Sequence, residues 1–501
     1  MDLLSNLALG FGVSLTLTNL FVCLIGVLVG TAVGVLPGLG PAATVSLLLP
    51  ITLAINHTSA VIMLAGIYYG AMYGGSITSI LMRIPGEAAS VITCIDGYAM
   101  ARNGRAGAAL GISAFGSFIA GTAATLGVAL VGPQLARVAL AFGPPEKAML
   151  VLLGLVLVAG IGTGSRLRSL AMVAAGLLLS AVGTDLVSGQ ERFTFGYAYM
   201  RDGFGIAVVA MGLFGISEVL ILAGRAQGGE EVLSYSKRLR DLLPNRQDWR
   251  DSAAPIARGT LIGFFLGLLP GGGALIASFA SYVAEKRLSA HPETFGQGAI
   301  AGVAGPESAN NAAAQASFVP LLCLGIPANA TIGIIMGALL IHGVSPGPRL
   351  LVDHPDLFWG VVTSMFVGNA MLIVLNVPLV GLFVALLRVP QAVMAPLILM
   401  FCCIGAYSLN NSAGDVVAMS GFGVLGYVLR RCGFDLAPLL LAFVLGSLLE
   451  QNLRQALLIG YGSPAIFLQK PIAAFFLACA VAVLVWPLLA RALSRWQGPR
   501  A

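Results

Sequence analysis

The stretch AGPESANNAAAQASFVP, Ala304 to Pro320, is polar within otherwise apolar sequence. Read as a helix, it places Glu307, Asn311 and Gln315 at successive i, i+4 positions. Asn310 lies one turn from Glu307, so a carboxylate and three amides share roughly one face. Their oxygen atoms suit a desolvated cation such as sodium, while amide N–H groups can meet a carboxylate. We expect Glu307, Asn310 and Asn311, with Asn329 from a later stretch, to hold a cation. The same residues also fit a buried polar network that joins helices and binds nothing. Gly305 and Pro306 are expected to start the helix, since Pro suits a first turn, and the positive helix end would then face an anion.

Two Pro-Gly stretches must position such a site. Gly30 to Pro41 reads GTAVGVLPGLGP and Gly263 to Ala274 reads GFFLGLLPGGGA; Gly30, Gly34, Leu36, Pro37, Gly38 and Gly40 match Gly263, Gly267, Leu269, Pro270, Gly271 and Gly273. Pro removes a backbone donor and Gly admits backbone angles closed to other residues, so both apolar runs should unwind there. Hydrocarbon cannot satisfy the bare N–H and C=O groups. Matched breaks in two halves therefore point to a transporter's binding site, with helix packing through Gly34 and Gly38 as the alternative. A second pair follows in the same order. RIPGEAAS (83–90) and LGIPANATIG (324–333) align Ile84, Pro85 and Ala88 with Ile326, Pro327 and Ala330. The pattern is an internal duplication at a spacing of about 235 residues. Backbone groups and half-helix N-termini at Pro37, Gly38, Gly40, Gly86, Pro270, Gly271, Gly272, Gly273 and Ala328 are expected to hold an anionic substrate group, with Thr44 and Ser278 as nearby hydroxyls.

Composition identifies the medium. Of 501 residues, 58% are hydrophobic and 10% charged, with mean hydropathy +0.93; a soluble domain carries about 25% charged residues. The chain is expected to be an all-α polytopic membrane protein of about 10–14 membrane segments, some broken or re-entrant, at about 20 residues per span. Residues 1–224 form the expected first transmembrane repeat, 225–255 a cytoplasmic linker and 256–501 the second repeat, with inverted repeats compatible with the pattern. The net charge of +6 lies in short clusters between apolar runs, where the positive-inside rule accounts for it without nucleic acid. Alternating access by a carrier is the expected mechanism, and an uncoupled channel fits the broken helices nearly as well. No Ser-His-Asp set, catalytic carboxylate pair or metal motif supports an enzyme, and no cofactor is expected.

Along the chain, Met1 to Asn6 lacks a basic leader region, so no removable signal peptide is expected. Gly10 to Leu36 reads as one apolar segment, and Ser59 to Met82 as a helix with Tyr69, Tyr73 and Ser76 on one face. The PGGG break is expected to be a hairpin tip, because Glu285, Lys286 and Arg287 end its second arm. Seven cysteines are expected as buried small hydrophobes; His57, His291, His342 and His354 fall near segment ends with no cluster among them. The patches Asn410, Asn411, Asp415 and Glu450, Gln451, Asn452, Arg454 read as loops.

Nearly the whole chain resembles the large membrane subunit of the tripartite tricarboxylate transporters, the TctA type. The resemblance rests on GVLPGLGPAATVSLLLPIT (34–52), YYGAMYGGSITSILMRIPGEAAS (68–90), LPGGGA (269–274), GPESANNAAA (305–314) and GIPANATIGIIMGALLIHGVSPGP (325–348). It implies a secondary transporter of the bacterial inner membrane. It also implies a small membrane subunit (TctB type) and a periplasmic substrate-binding protein (TctC type) as partners, di- or tricarboxylates such as citrate as substrates, and a sodium or proton gradient as the driving force.

Overall fold

The computed structural model describes residues 3–36, 39–161, 165–185, 188–224, 232–233, 238–271, 273–387 and 391–496. The elements are α1 (Leu3–Ser14), α2 (Leu17–Val35), α3 (Pro41–Leu48), α4 (His57–Met82), α5 (Thr93–Met100), α6 (Ala106–Leu140), α7 (Pro144–Ile161) and α8 (Arg166–Ser180). A short antiparallel hairpin, β1 (Gly183–Thr184) and β2 (Glu191–Arg192), precedes α9 (Ile206–Ala210) and α10 (Ser217–Ala223), which a π-helical turn joins. Then come α11 (Leu239–Leu242), α12 (Arg246–Gly267), α13 (Gly273–Leu288), α14 (Ala301–Ala316), α15 (Ala330–Ile341), α16 (Leu350–Asp353), α17 (Pro355–Asn376) and α18 (Val380–Leu386). The chain ends in α19 (Gln391–Asn410), α20 (Ala413–Arg431), α21 (Ala437–Ile459), α22 (Ile466–Gln469) and α23 (Pro471–Trp496).

This is an all-α polytopic membrane protein. Among the described residues, Leu17–Val35, His57–Met82, Thr93–Leu140, Ile206–Ala223 and Pro355–Asn376 are long and apolar enough to cross a membrane, and five shorter apolar helices accompany them. The most apolar window of α4 is wholly buried, as a helix apolar on all sides should be.

The chain packs as two compact units. The first comprises Met1–Ala136 and Ile206–Val428, the second Arg137–Gly205 and Leu429–Ala501. In the first unit, α2 lies against α4 so closely that a Cβ on Gly26, Gly30 or Gly34 would strike the carbonyl oxygen of Met63, Ile67 or Ala71. The same contact recurs between α12 and α14, where Gly259, Gly263 and Gly267 meet the carbonyls of Gly305, Ala309 and Ala313. Small residues at every fourth position let backbones touch, and apolar lipid supplies no other drive for helices to associate. The glycines before each break are thus packing surfaces.

Past the breaks the halves exchange partners. Helix α3 packs on α15, which follows LGIPAN, whereas α13 packs on the 3₁₀ turn Ala88–Val91 that follows RIPGE. Helix α13 also packs back on α12, so the break at Pro270 and Gly271 lies at the bend between two packed helices.

In the second unit, α21 packs on α7 and α8, and α7 on α23, around a core that includes Ala148, Met149, Ala456, Ile466 and Phe467. Its β-hairpin is braced by ion pairs: Arg192 to Glu450 at 2.8 Å, Arg454 to Asp185 at 2.7 Å and Arg201 to Glu191 at 2.8 Å.

Several local expectations need correction. The run Gly10 to Leu36 is two helices, because the Thr16 hydroxyl caps α2 by accepting from the Asn19 N–H at 3.4 Å. Glu450 to Arg454 is not a loop but lies within α21, where Glu450 and Arg454 pair at i, i+4 while serving the hairpin. Helix α12 begins at Arg246, inside the expected linker, because Asn245 and Asp248 form a capping box. His57 and His354 do meet: their rings lie 5.7 Å apart, edge to face. Tertiary folding joins the N-termini of α4 and α17, which are far apart in sequence. Four cysteines are buried, two half-buried and Cys432 exposed, all as free thiols.

If the glycine contacts hold the fold, Gly30→Ala destabilises the detergent-purified protein by about 1–3 kcal/mol in thermal unfolding. Gly12→Ala, whose new Cβ meets nothing within 4 Å, leaves it unchanged or slightly more stable.

Candidate functional site

Helix α14 is the centre of the first unit's polar interior. It runs from Ala301, so Gly305 and Pro306 do not start it. Gly305 is needed instead for close packing, since its carbonyl touches Gly259 and a Cβ would crowd Ser281 and Glu285 of α13. Pro306 costs the helix one backbone bond. The Ser278 hydroxyl donates to the Pro306 carbonyl at 3.2 Å.

Glu307 is 1% exposed. Its Oε2 accepts from the Ser76 hydroxyl of α4 at 2.5 Å and its Oε1 from the Thr93 hydroxyl of α5. Glu87, also buried, accepts from the Asn310 amide at 3.2 Å and from the Ala89 N–H at 2.6 Å, capping the turn after RIPG. Asn311 donates to the Ser117 hydroxyl at 2.7 Å and to the Glu307 carbonyl at 3.1 Å. Two carboxylates therefore lie in this layer, and each of these partners is a hydroxyl, an amide or a backbone N–H. Such donors offset part of the desolvation cost of a charge but do not neutralise it. Several buried groups beside them lack a partner: Oδ1 of Asn310 and of Asn311, the Ser308 hydroxyl and both polar atoms of Gln315. Unpaired buried oxygens are costly in a fold and are what a cation would use. Tyr73, Ser76, Ser113 and Asn376 line a small cavity of about 10 Å³, room for about one water, on the α6 side of this layer.

The polar face of α14 thus exists, but its residues divide among partners. Asn310 reaches Glu87 and Asn311 reaches Ser117. Asn329 lies at the N-terminus of α15, where its Oδ1 accepts from the Ile332 N–H at 3.1 Å and its amide donates to the Tyr68 hydroxyl at 2.9 Å. The expected face of α4 splits likewise: the Tyr69 hydroxyl reaches the Ser364 carbonyl and the Tyr73 hydroxyl Asn369, each at 3.4 Å, while Ser76 serves Glu307.

The expected substrate groups lie around the breaks. Gly40 caps the N-terminus of α3, with open space where a side chain would be. The Thr44 hydroxyl donates to the Gly40 carbonyl at 3.2 Å, within its own helix. Gly86 is pressed against the backbone of Gly34 and Gly75. Gly271, next to Pro270, donates its N–H to the Ala328 carbonyl at 2.8 Å, joining the second half's two breaks, and Gly273 begins α13. Pro37, Gly38 and Gly272 lie outside the described residues.

Sequence reasoning missed Glu87, Thr93 and Ser117. A signal for Glu87 was present: the alignment that matches Ala88 with Ala330 sets Glu87 opposite Asn329, and both side chains cap the element after a Pro break. Nothing local marks Thr93 or Ser117.

The chain matches the tripartite tricarboxylate transporter TctA family over residues 20–441. It is 51% identical over 489 residues, 98% of this chain and 97% of the relative, to the "Uncharacterized 52.8 kDa protein in TAR-I ttuC' 3'region" of Agrobacterium vitis. It is 52% identical over 227 residues, 45% of this chain and 94% of the relative, to the "Uncharacterized protein in TAR-II ttuC' 3'region" of the same organism. No solved structure matches it.

The hydroxyl donors of Glu307 give a stability test. Glu307→Leu leaves Ser76 and Thr93 without their acceptor and should lower stability by about 1–3 kcal/mol more than Glu307→Gln, which keeps one acceptor oxygen. Thermal unfolding of the two purified variants makes the comparison.

Proposed function

Because the chain belongs to the tripartite tricarboxylate transporter TctA family, we propose that it is the large permease subunit importing di- or tricarboxylates across a bacterial inner membrane, by alternating access driven by a cation gradient. Family membership supports a transporter subunit rather than an enzyme. The observation that carries the cation reading is the polar layer of α14. Glu307 and Glu87 are buried among neutral donors while the amide oxygens of Asn310 and Asn311 stand unpaired. A sodium ion supplies the charge these carboxylates lack and uses those oxygens; a proton would neutralise a carboxylate without needing them.

The substrate reading rests on the half-helix N-termini. Helices α3, α13 and α15 all begin at breaks, and their N-terminal N–H groups favour an anion. Gly40, Gly273 and Ala328 lie at or next to those starts, with Asn329 as the cap of α15. Helix α3 packs on α15 and α13 on the turn after Glu87, so each half completes the other's break, which suits a site that opens alternately to two sides. The partners in this reading are a small membrane subunit of the TctB type and a periplasmic substrate-binding protein of the TctC type.

Uptake of labelled citrate and dicarboxylates into proteoliposomes with both partners and an imposed sodium gradient tests the proposal. Concentrative uptake that needs the binding protein and collapses without the gradient is expected. The Glu307→Ala, Asn311→Ala double variant should lose roughly tenfold or more of the sodium-driven rate. Sodium-coupled uptake that survives in that variant would count against the site, and downhill flux indifferent to sodium would favour a pore.

A further inference from the structure

Asp96 lies outside the polar layer just described, yet it is fully buried and accepts four hydrogen bonds. Its Oδ1 takes the backbone N–H groups of Gly296 and Gly298 at 2.8 Å and of Ala299 at 2.9 Å. Its Oδ2 takes the Tyr282 hydroxyl of α13 at 2.8 Å. Three N–H groups aimed at one oxygen form an anion-binding nest. The nest depends on Gly296 and Gly298, whose φ values of 91° and 109° are disfavoured for residues bearing a side chain. Asn103 adds a bond from its amide to the Gln297 carbonyl at 3.2 Å. This loop leads directly into α14.

Helix α5 therefore holds the second half at two places. Thr93 and Asp96 are three residues apart on one face, and Gly97, next to Asp96, lies close to Val303 of α14. Thr93 donates to Glu307; Asp96 grips the loop before the first turn of the same helix. Arg102, Arg105, Lys286 and Arg287 flank this end and mark it as cytoplasmic by the positive-inside rule.

We propose that Asp96 is a positioning residue that clasps the 296–299 loop at the cytoplasmic end and, through Thr93 on the same short helix, ties that clasp to the occupancy of Glu307. The inference rests on the reading of Glu307 as a cation ligand. A cation on Oε1 repels the Thr93 hydroxyl proton, so the hydroxyl must turn its lone pair toward the ion. That replaces the hydrogen bond tethering α5 to Glu307 and leaves α5 free to shift, and a shift loosens the nest one turn along. The two-state element is α5 with its loop, and both the ion and the clasp bias it.

Hydrogen exchange on the purified full chain, in sodium chloride and in choline chloride, reads the clasp directly. Sodium should speed exchange at Gly296, Gly298 and Ala299 roughly tenfold. Thr93→Val should abolish that sodium response, and Asp96→Asn should speed exchange in both salts. Tyr282→Phe, which removes only the Oδ2 donor, provides a milder variant if Asp96→Asn does not fold, and should speed loop exchange to a lesser degree. A sodium response in α14 with none in the loop would overturn the coupling and leave the cation reading standing. No response in either would overturn both. An undiminished loop response in Thr93→Val would also overturn it, because a merely structural Asp96 does not require Thr93.

Discussion

Charge in the apolar interior is the constraint on which the rest of the first unit depends. Glu307 and Glu87 are buried where water cannot reach them freely, and a carboxylate in such a place is tolerated only with donors around it and a function to retain it. Ser76, Thr93, Asn310 and the Ala89 N–H are those donors, and they come from α4, α5, α14 and the turn after the first RIPG break. Meeting this need brings elements of both sequence halves onto one helix. Glycine contacts pack α2 on α4 and α12 on α14, and α14 lies near enough to α4 for a side chain as short as Ser76 to reach Glu307.

The Pro-Gly breaks act within this frame. Ending α2 at Val35 and α12 at Gly267 lets the chain change direction, so that α3 and α13, beside their own-half neighbours, each also touch an element of the opposite half. Their freed backbone groups are partly used at once, as the Gly271 to Ala328 bond shows, and partly offered at helix N-termini. A fold of this kind spends helical continuity to make polar surface at membrane depth, which is tolerable only where protein or a wet cavity covers it.

Much of this was legible in the sequence, for physical reasons. Composition reports the solvent, Pro-Gly reports where a helix cannot continue, and the spacing of Glu307, Asn311 and Gln315 reports a face. The partners of that face were not legible, because Thr93 and Ser117 are ordinary hydroxyl residues in apolar helices, selected only by tertiary packing. The start of α14 was misplaced at Gly305 because a glycine that permits close packing and a glycine that opens a helix look alike in one dimension. Glu450 and Arg454 read as a loop for a similar reason: their polarity is satisfied across to Arg192 and Asp185 in the hairpin, a contact distant in sequence.

The central claim is that the α14 layer holds a cation. Calorimetric titration of sodium into the purified protein, with no substrate present, tests it most directly. The account predicts saturable binding that is lost in Glu307→Ala and retained when the exposed Glu293 is replaced by Ala. No saturable sodium binding, or binding unchanged in Glu307→Ala, would contradict it.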